Sequence, residues 1–299
     1  MPLRDSLLAV VVAVIWGLNF IAIHAGLQDV PPFLFLAVRF FFVAFPLLLF
    51  VPKPPVLWRV LAGVGVFMSL GQFALLYFAM SIGMPAGLAS LVLQAQVLFT
   101  ILIAWGALGE PASPRQLAGV ALGTIGLTVV AVGFGATAPL VPLFVTIASA
   151  LSWAIGNVIS RAAKVQSGLG LVVWSALFVP LPCLAIALVV DGPANVVAEL
   201  GSFGWPATFG TAFTVVMSSL VGYTIFNTLI ARHSAASVVP FILLVPPVGM
   251  TSAWLVLDEV PTAIELVGGV VMLAGVAVAT ITRRSRSSEP VPEPTSPPT

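Results

Sequence analysis

The sequence is poor in charged residues. Asp, Glu, Lys and Arg make up 7% of the 299 residues, whereas soluble domains contain about 25%. Hydrophobic residues account for 60% of the chain. This composition excludes an ordinary soluble domain and indicates a helical membrane protein with many spans. The net charge of +1 argues against a nucleic-acid partner.

The sequence also lacks most of the residues from which enzyme sites are built. It has two histidines and a single cysteine, Cys183, which lies in an apolar run and excludes an internal disulfide. It contains no HExxH motif, no glycine-rich phosphate loop and no Ser/His/Asp set. No carboxylate falls near the middle of an apolar segment, so no carrier for a coupling proton is evident. We therefore predict no enzyme activity, no cofactor and no metal site.

Ten apolar segments of about 20 residues are present, and each is long enough to cross roughly 30 Å of hydrocarbon. The first is too long for a signal-peptide core and lacks a clear cleavage site, so we interpret it as a span. Residues 285–299 have no apolar pattern and are predicted to form a disordered cytoplasmic tail. The predicted spans are Ser6–Ala25, Phe33–Val51, Leu57–Met80, Pro85–Leu108, Gln116–Val132, Leu140–Ile159, Leu169–Val190, Ala207–Ala231, Ala235–Leu257 and Ala263–Thr282.

Basic residues lie almost entirely on one side of these spans. By the positive-inside rule this side is cytoplasmic, and both termini are predicted to lie there. Arg39 alone falls in the outer half, within the second span, and we expect its side chain to reach the outer surface rather than to contact the substrate. The cytoplasmic set is Arg4, Lys53, Arg59, Arg115, Arg161, Lys164, Arg232, Arg283, Arg284 and Arg286.

A repeat divides the chain into two halves, residues 1–133 and 134–284. Each half has five spans, and because five is odd the second half must cross the membrane in the opposite sense. Inverted repeats of this kind place a transport site near the midplane. A spacing of 149 residues relates Ser69 to Ser218, Glu110 to Glu259, Gly119 to Gly268 and Gly126 to Gly275.

Polar residues near the midplane form the candidate binding site. Gln94 and Gln96 point to opposite faces of span four, and a buried amide needs a partner or a water-filled cavity. We expect one of the two to line a solute path, without deciding which. Pro246 and Pro247 interrupt the helix of span nine, where they either free backbone carbonyls for the site or simply kink the helix. The other candidate substrate-binding residues are Trp16, Asn19, Gln72, Trp153, Asn157, Tyr223 and Asn227.

Two further groups of residues are weaker candidates for the binding site. Serines in membrane helices usually bond to their own backbone, so Ser69, Ser218 and Ser219 are discounted. Glu110 and Glu259 lie at span ends and are interpreted as loop residues. The predicted cavity then carries no fixed charge, which favours solutes with little net charge.

Several stretches resemble a known family. They are WGLNFIAIHAG at residues 16–26, RFFFVAFP at 39–46, GMPAGLASLVLQAQVLFT at 83–100 and LLVPPVG at 243–249. With the two five-span halves, they make the chain similar to the EamA branch of the drug/metabolite transporter superfamily. The resemblance implies export of small amino-acid metabolites from the bacterial cytoplasm through a central cavity. His24 departs from the family pattern, which usually has lysine there.

We therefore expect an inner-membrane transporter of small neutral amino-acid metabolites such as O-acetylserine or cysteine, working by alternating access. Its expected partners are the lipid bilayer and a small-molecule substrate. The alternatives are a channel-like facilitator, an exporter of drugs or other metabolites, and an intramembrane enzyme. A drug exporter is disfavoured because no embedded carboxylate is predicted to hold a cation. An enzyme is disfavoured because a nucleophile or acid pair at mid-depth is missing.

Overall fold

The computed structural model describes residues 1–136, 138–164, 168–233 and 235–281. These residues form α-helices and two π-helical segments joined by turns. The predicted tail, 285–299, and the end of the last predicted span lie outside the described residues. The helices are α1 Leu3–Gly26, α2 Pro32–Leu48, α3 Trp58–Val64, α4 Gln72–Ser81, α5 Ala86–Val92, α6 Ala95–Leu108, α7 Pro114–Gly135, α8 Val141–Ala162, α9 Gly168–Ala176, α10 Pro180–Val190, α11 Pro193–Gly201, α12 Trp205–Ala212, α13 Tyr223–Arg232, α14 Ala235–Ile242, α15 Val245–Leu257 and α16 Ala263–Thr280.

The helices join into long apolar segments. Within the described residues, nine segments are long and apolar enough to cross a membrane, and α2 is apolar but has only 17 residues. Every predicted span coincides with one of these segments, which confirms the predicted all-helical membrane class. The short helix α11, in the loop after α10, was not predicted.

The two ends of the bundle are marked by contacts between residues that are distant in sequence. Asp5 pairs with His233, close to the chain start, and we call this end the N-terminal end. At the opposite end, here called the far end, the Asp29 carboxylate accepts a hydrogen bond from the backbone N–H of Ala207 at 3.3 Å. Helix α1 runs between the two ends and packs against α5, α12, α13, α14 and α15.

Helices α7 and α16 pack together along a seam of glycines. A Cβ atom added to Gly126 would lie 2.2 Å from the backbone nitrogen of Met272, and one added to Gly275 would lie 2.2 Å from that of Gly123. Small residues allow such close approach in membranes, where packing rather than the hydrophobic effect holds helices together. The positions spaced at 149 residues in these two helices therefore contribute to one interface.

Two membrane segments contain π-helical stretches at equivalent positions. Gly65–Gly71 joins α3 to α4, and Phe213–Gly222 joins α12 to α13. A π-helical turn leaves some carbonyls out of the usual pattern and is frequent at functional sites. Within the second stretch, the Thr214 carbonyl accepts a hydrogen bond from the Ser219 hydroxyl at 2.8 Å.

Two further segments are broken near their middles. The break between α14 and α15 falls at Leu243 and Leu244, and Pro246 and Pro247 then lie in the first turn of α15, where a missing N–H leaves nothing unsatisfied. The break between α5 and α6 was not predicted, because no proline marks it. It falls at Leu93 and Gln94, immediately before the first residue of α6.

Candidate functional site

A cavity of about 450 Å³ lies between α2, α8, α9, α13 and the two π-helical segments. Its lining runs from mid-bundle to Ala231 in the last turn of α13, and Ala231 is exposed. The cavity therefore reaches the surface at the N-terminal end. Polar residues of its lining are Arg39, Ser69, Ser160, Ser175, Ser219, Tyr223 and Asn227.

Arg39 lies at the inner limit of this cavity and is 1% exposed. Its Nη1 donates a hydrogen bond to the Tyr77 hydroxyl at 2.8 Å. Its Nη2 lies 3.4 Å from Ser219 Oγ. The guanidinium carbon is 4.2 Å from the centre of the Phe73 ring, which is within range of a cation–π contact.

The expectation that Arg39 reaches the outer surface is wrong. The route toward the far end is filled by Phe35, which is fully buried and whose ring centre lies 5.3 Å from that of Tyr77. A side chain can extend to the membrane surface only where lipid or water lines its path. Here protein aromatic groups surround it, so the cation stays at mid-bundle. The cavity consequently has a fixed positive charge, contrary to the sequence-based expectation.

Tyr223 and Asn227 are the two predicted site residues that line the cavity. Both lie on α13 directly after a π-helical segment, four residues apart and hence on one helix face. The Nδ2 atom of Asn227 is buried without a hydrogen-bond partner. An amide donor left unpaired in this way is costly unless a ligand or water meets it.

Trp16 lies behind that wall of the cavity. Its ring centre is 5.2 Å from that of Tyr223 and 5.2 Å from that of Phe226. Its Nε1 donates a hydrogen bond to the backbone carbonyl of Ser218 at 3.2 Å. The indole therefore supports Tyr223 and caps a carbonyl of the π-helical segment.

The equivalent tryptophan, Trp153, belongs to a polar chain between helices. Its Nε1 donates a hydrogen bond to Asn157 Oδ1 at 3.2 Å. The Asn157 Nδ2 group in turn lies 3.5 Å from the Thr100 hydroxyl on α6. The Trp153 ring also contacts that of Phe73, at 6.1 Å between centres, and Phe73 lines the cavity. These side chains connect α8 with α4 and α6 at the edge of the site.

The remaining predicted residues lie away from the cavity lining. Asn19, Gln72 and Gln94 are buried, and Gln96 is half-buried. Oxygen atoms of Asn19, Gln72 and Gln96 are buried without hydrogen-bond partners. The structure thus brings together Arg39, Tyr223 and Asn227 at the cavity, and it leaves both glutamines of span four outside it.

Glu259 joins the loop after α15 to α5 at the far end. Its carboxylate accepts hydrogen bonds from the backbone N–H groups of Ala86 at 3.0 Å and Gly87 at 2.9 Å. An anion at the first turn of a helix is also favoured by the helix dipole. Glu110, its counterpart in the repeat, instead forms an exposed ion pair with Arg161 at the N-terminal end. Glu259 lies in the loop between α15 and α16, as predicted, and its hydrogen bonds to α5 were not predicted.

Comparison with known proteins identifies the family. The model of the EamA-like transporter family matches residues 4–132 and 140–281. The chain belongs to this family. The "Probable amino-acid metabolite efflux pump" of Escherichia coli (strain K12) is 38% identical over 284 residues, which are 93% of this chain and 95% of that protein. The protein of the same description from Salmonella typhimurium (strain LT2) is also 38% identical over 284 residues, with the same coverage of both chains.

A solved crystal structure supports the fold of this family member. It is 22% identical in sequence, superposes with a TM-score of 0.61 and covers 93% of this chain and 96% of its own. At this identity the likeness concerns the fold alone. Membership of this family and the similarity to bacterial transporters identify the chain as a multi-span membrane transporter with a small-molecule substrate.

Proposed function

We propose that the chain exports small amino-acid metabolites from the bacterial cytoplasm across the inner membrane by alternating access. One observation carries this proposal: a cavity of about 450 Å³ reaches the surface at one end of the bundle and is covered at the other by buried aromatic side chains. Phe35 and Tyr77, both fully buried, form that cover. A site open to a single side is the resting form of a carrier rather than of an open channel.

The proposed topology follows from charge and repeat. The chain has ten spans, with Pro32–Leu48 as the short one, and its two five-helix repeats are residues 1–133 and 134–284. Basic residues lie at the N-terminal end, so that end and both termini face the cytoplasm. The cavity then faces the cytoplasm, where an exporter must take up its substrate. A cysteine at Asn195 should react with an impermeant reagent in intact cells, and reaction only after lysis would contradict this orientation.

The substrate class rests on the relatives and on the size of the cavity. Two relatives described as probable amino-acid metabolite efflux pumps are 38% identical to the chain over 284 residues. A cavity of about 450 Å³ lies within the usual range of small-ligand sites, about 300–1,000 Å³. We propose O-acetylserine and cysteine as the first substrates to test.

The test is metabolite profiling of the medium from cells that overproduce the protein. Ser160→Trp places an indole in the cavity lining and should abolish export. Thr128→Trp changes an exposed position on α7 and serves as the matched control. The wild type and the control should raise extracellular cysteine or O-acetylserine above the level of empty-vector cells. No difference in any amino-acid metabolite between wild type and empty vector would refute the proposal.

A further inference from the structure

We infer that Arg39 binds the carboxylate of the transported solute, so that the cavity selects solutes that carry one. This inference rests on the function proposed above and assigns the part of the substrate that the site recognises. The Arg39 side chain is 1% exposed, and its guanidinium carries a positive charge. A buried cation requires a partner that compensates for the water it has lost.

The protein compensates this charge only in part. Neither ion pair found among the described residues includes Arg39; they join Arg161 to Glu110 and His233 to Asp5. Arg39 has instead a neutral hydroxyl partner, Tyr77 at 2.8 Å, and the face of the Phe73 ring. These contacts orient the guanidinium, but none of them supplies a negative charge.

The unsatisfied edge of the guanidinium has the geometry of a carboxylate site. Nη1 is taken by Tyr77, whereas Nε is buried without a partner and Nη2 has only a long contact with Ser219, at 3.4 Å. Nε and Nη2 form one edge of the guanidinium, and two parallel N–H groups on such an edge bind the two oxygens of a carboxylate. A lysine could not offer this fork.

Arg39 belongs to the wall of the cavity. Arg39 and its neighbours Phe73 and Ser219 all line the cavity. The Ser219 hydroxyl also bonds to the Thr214 carbonyl at 2.8 Å, so it remains satisfied if a ligand displaces its contact with Arg39. A solute entering from the N-terminal end meets the cation at the inner limit of the cavity.

The other residues that line the cavity are also compatible with a carboxylate on the solute. No acidic residue of the described chain lines the cavity, so an anionic group meets no like charge there. Asn227 lines the same cavity, its Nδ2 has no hydrogen-bond partner among the described residues, and an amide donor suits an acceptor elsewhere on the solute. Cationic solutes without a carboxylate are repelled by Arg39, which separates this site from one that takes cationic drugs.

The experiment uses the full-length purified protein in liposomes and three probes of similar size. These are cysteine, cysteine methyl ester and cysteamine, which carry a free carboxylate, a blocked carboxylate and none. Uptake of radiolabelled cysteine is measured with each unlabelled probe as competitor, and the thermal shift of the detergent-purified protein reports binding directly. Cysteine should compete about 10- to 100-fold better than the other two, as expected for charge-assisted hydrogen bonds.

Variants of Arg39 sharpen the test. Arg39→Gln should raise the KM for cysteine by about 10- to 100-fold and remove the discrimination between the probes. Arg39→Lys keeps the charge without the fork and should fall between the wild type and Arg39→Gln. Arg115→Gln makes the same change at an exposed arginine outside the cavity lining and is the matched control, with discrimination retained. If Arg39→Gln does not fold, the probes on the wild-type protein still decide.

The outcomes separate this inference from the proposed function. Transport of cysteine with equal competition by cysteamine would overturn the inference and leave the exporter standing. Binding of cysteine in preference to cysteamine without any transport would support the inference and overturn the exporter. An unchanged KM in folded Arg39→Gln would also overturn the inference. Equal thermal shifts from all three probes, or none from any, count against it in the same way.

Discussion

The Glu259 carboxylate accepts a hydrogen bond from the backbone N–H of Gly87 at 2.9 Å, although 172 positions separate the two residues. The contact fixes the loop after α15 to the first turn of α5 at the far end of the bundle. Glycine at position 87 allows this approach, because an added Cβ would lie 3.2 Å from the Met250 Cα atom. A carboxylate on backbone amides therefore ties two distant parts of the chain together at the far end.

Removing the carboxylate should loosen the far end. Glu259→Ala loses two charge-assisted hydrogen bonds, and we expect the free energy of unfolding to fall by about 2–4 kcal/mol. A cysteine replacing Met84, which is 2% exposed, should then react faster with an impermeant thiol reagent, in a Cys183→Ala background.

Glu110→Ala is the control for this change. Glu110 occupies the equivalent repeat position, but its ion pair with Arg161 is exposed, and such pairs contribute about 0–1 kcal/mol. Equal losses of stability in the two variants, with no change in labelling at position 84, would show that Glu259 does not hold the far end closed.

The glycine seam between α7 and α16 should not tolerate a methyl group. Gly126→Ala brings a Cβ within 2.2 Å of the Met272 backbone nitrogen, so the helices must move apart. We expect the free energy of unfolding to fall by about 1–3 kcal/mol, measured by thermal unfolding in detergent. Gly106→Ala is the control, because an added Cβ there meets nothing within 4 Å. A stable Gly126→Ala protein would mean that the seam is looser than described.

The cavity wall and the broken segment should respond differently to loss of an amide. Asn227 lines the cavity with an unpaired donor, so Asn227→Leu should lower the rate of cysteine uptake into liposomes by at least about tenfold. Gln94 is buried outside the lining, so Gln94→Leu should retain uptake within about twofold of the wild type. If Gln94→Leu lost uptake and Asn227→Leu retained it, the binding site would instead lie at the break between α5 and α6.

The sequence predicted the fold class and every membrane segment because both follow from long apolar runs. A membrane span is predicted from the hydropathy of about 20 consecutive residues. Its backbone hydrogen bonds form within the segment itself, so the prediction does not depend on contacts with other segments. The glycines from whose spacing the repeat was predicted lie at the α7–α16 interface, which was not itself predicted. Local backbone features were less predictable: the break at Leu93–Gln94 has no proline, and neither π-helical segment has a distinct sequence signal.

The site was predicted only in part, because polarity alone does not tell packing from lining. Tyr223 and Asn227 were predicted and line the cavity, whereas Trp153 and Asn157 bond to each other. Arg39 was misjudged from its depth in one helix. Its destination depends on Phe35 and Tyr77, which the fold brings beside it. An arginine inside an apolar span was itself the available signal, since intramembrane charges are usually functional.

The most direct test of a carrier with its binding site in this cavity is counterflow in proteoliposomes. Vesicles loaded with unlabelled cysteine are diluted into a trace of labelled cysteine, and the label inside is followed with time. The account predicts a transient accumulation of label above its outside concentration, which disappears with Ser160→Trp and persists with Thr128→Trp. A carrier exchanges solute in this way because one site alternates between the two sides. Label that only equilibrates, or that enters protein-free vesicles equally fast, would contradict the account.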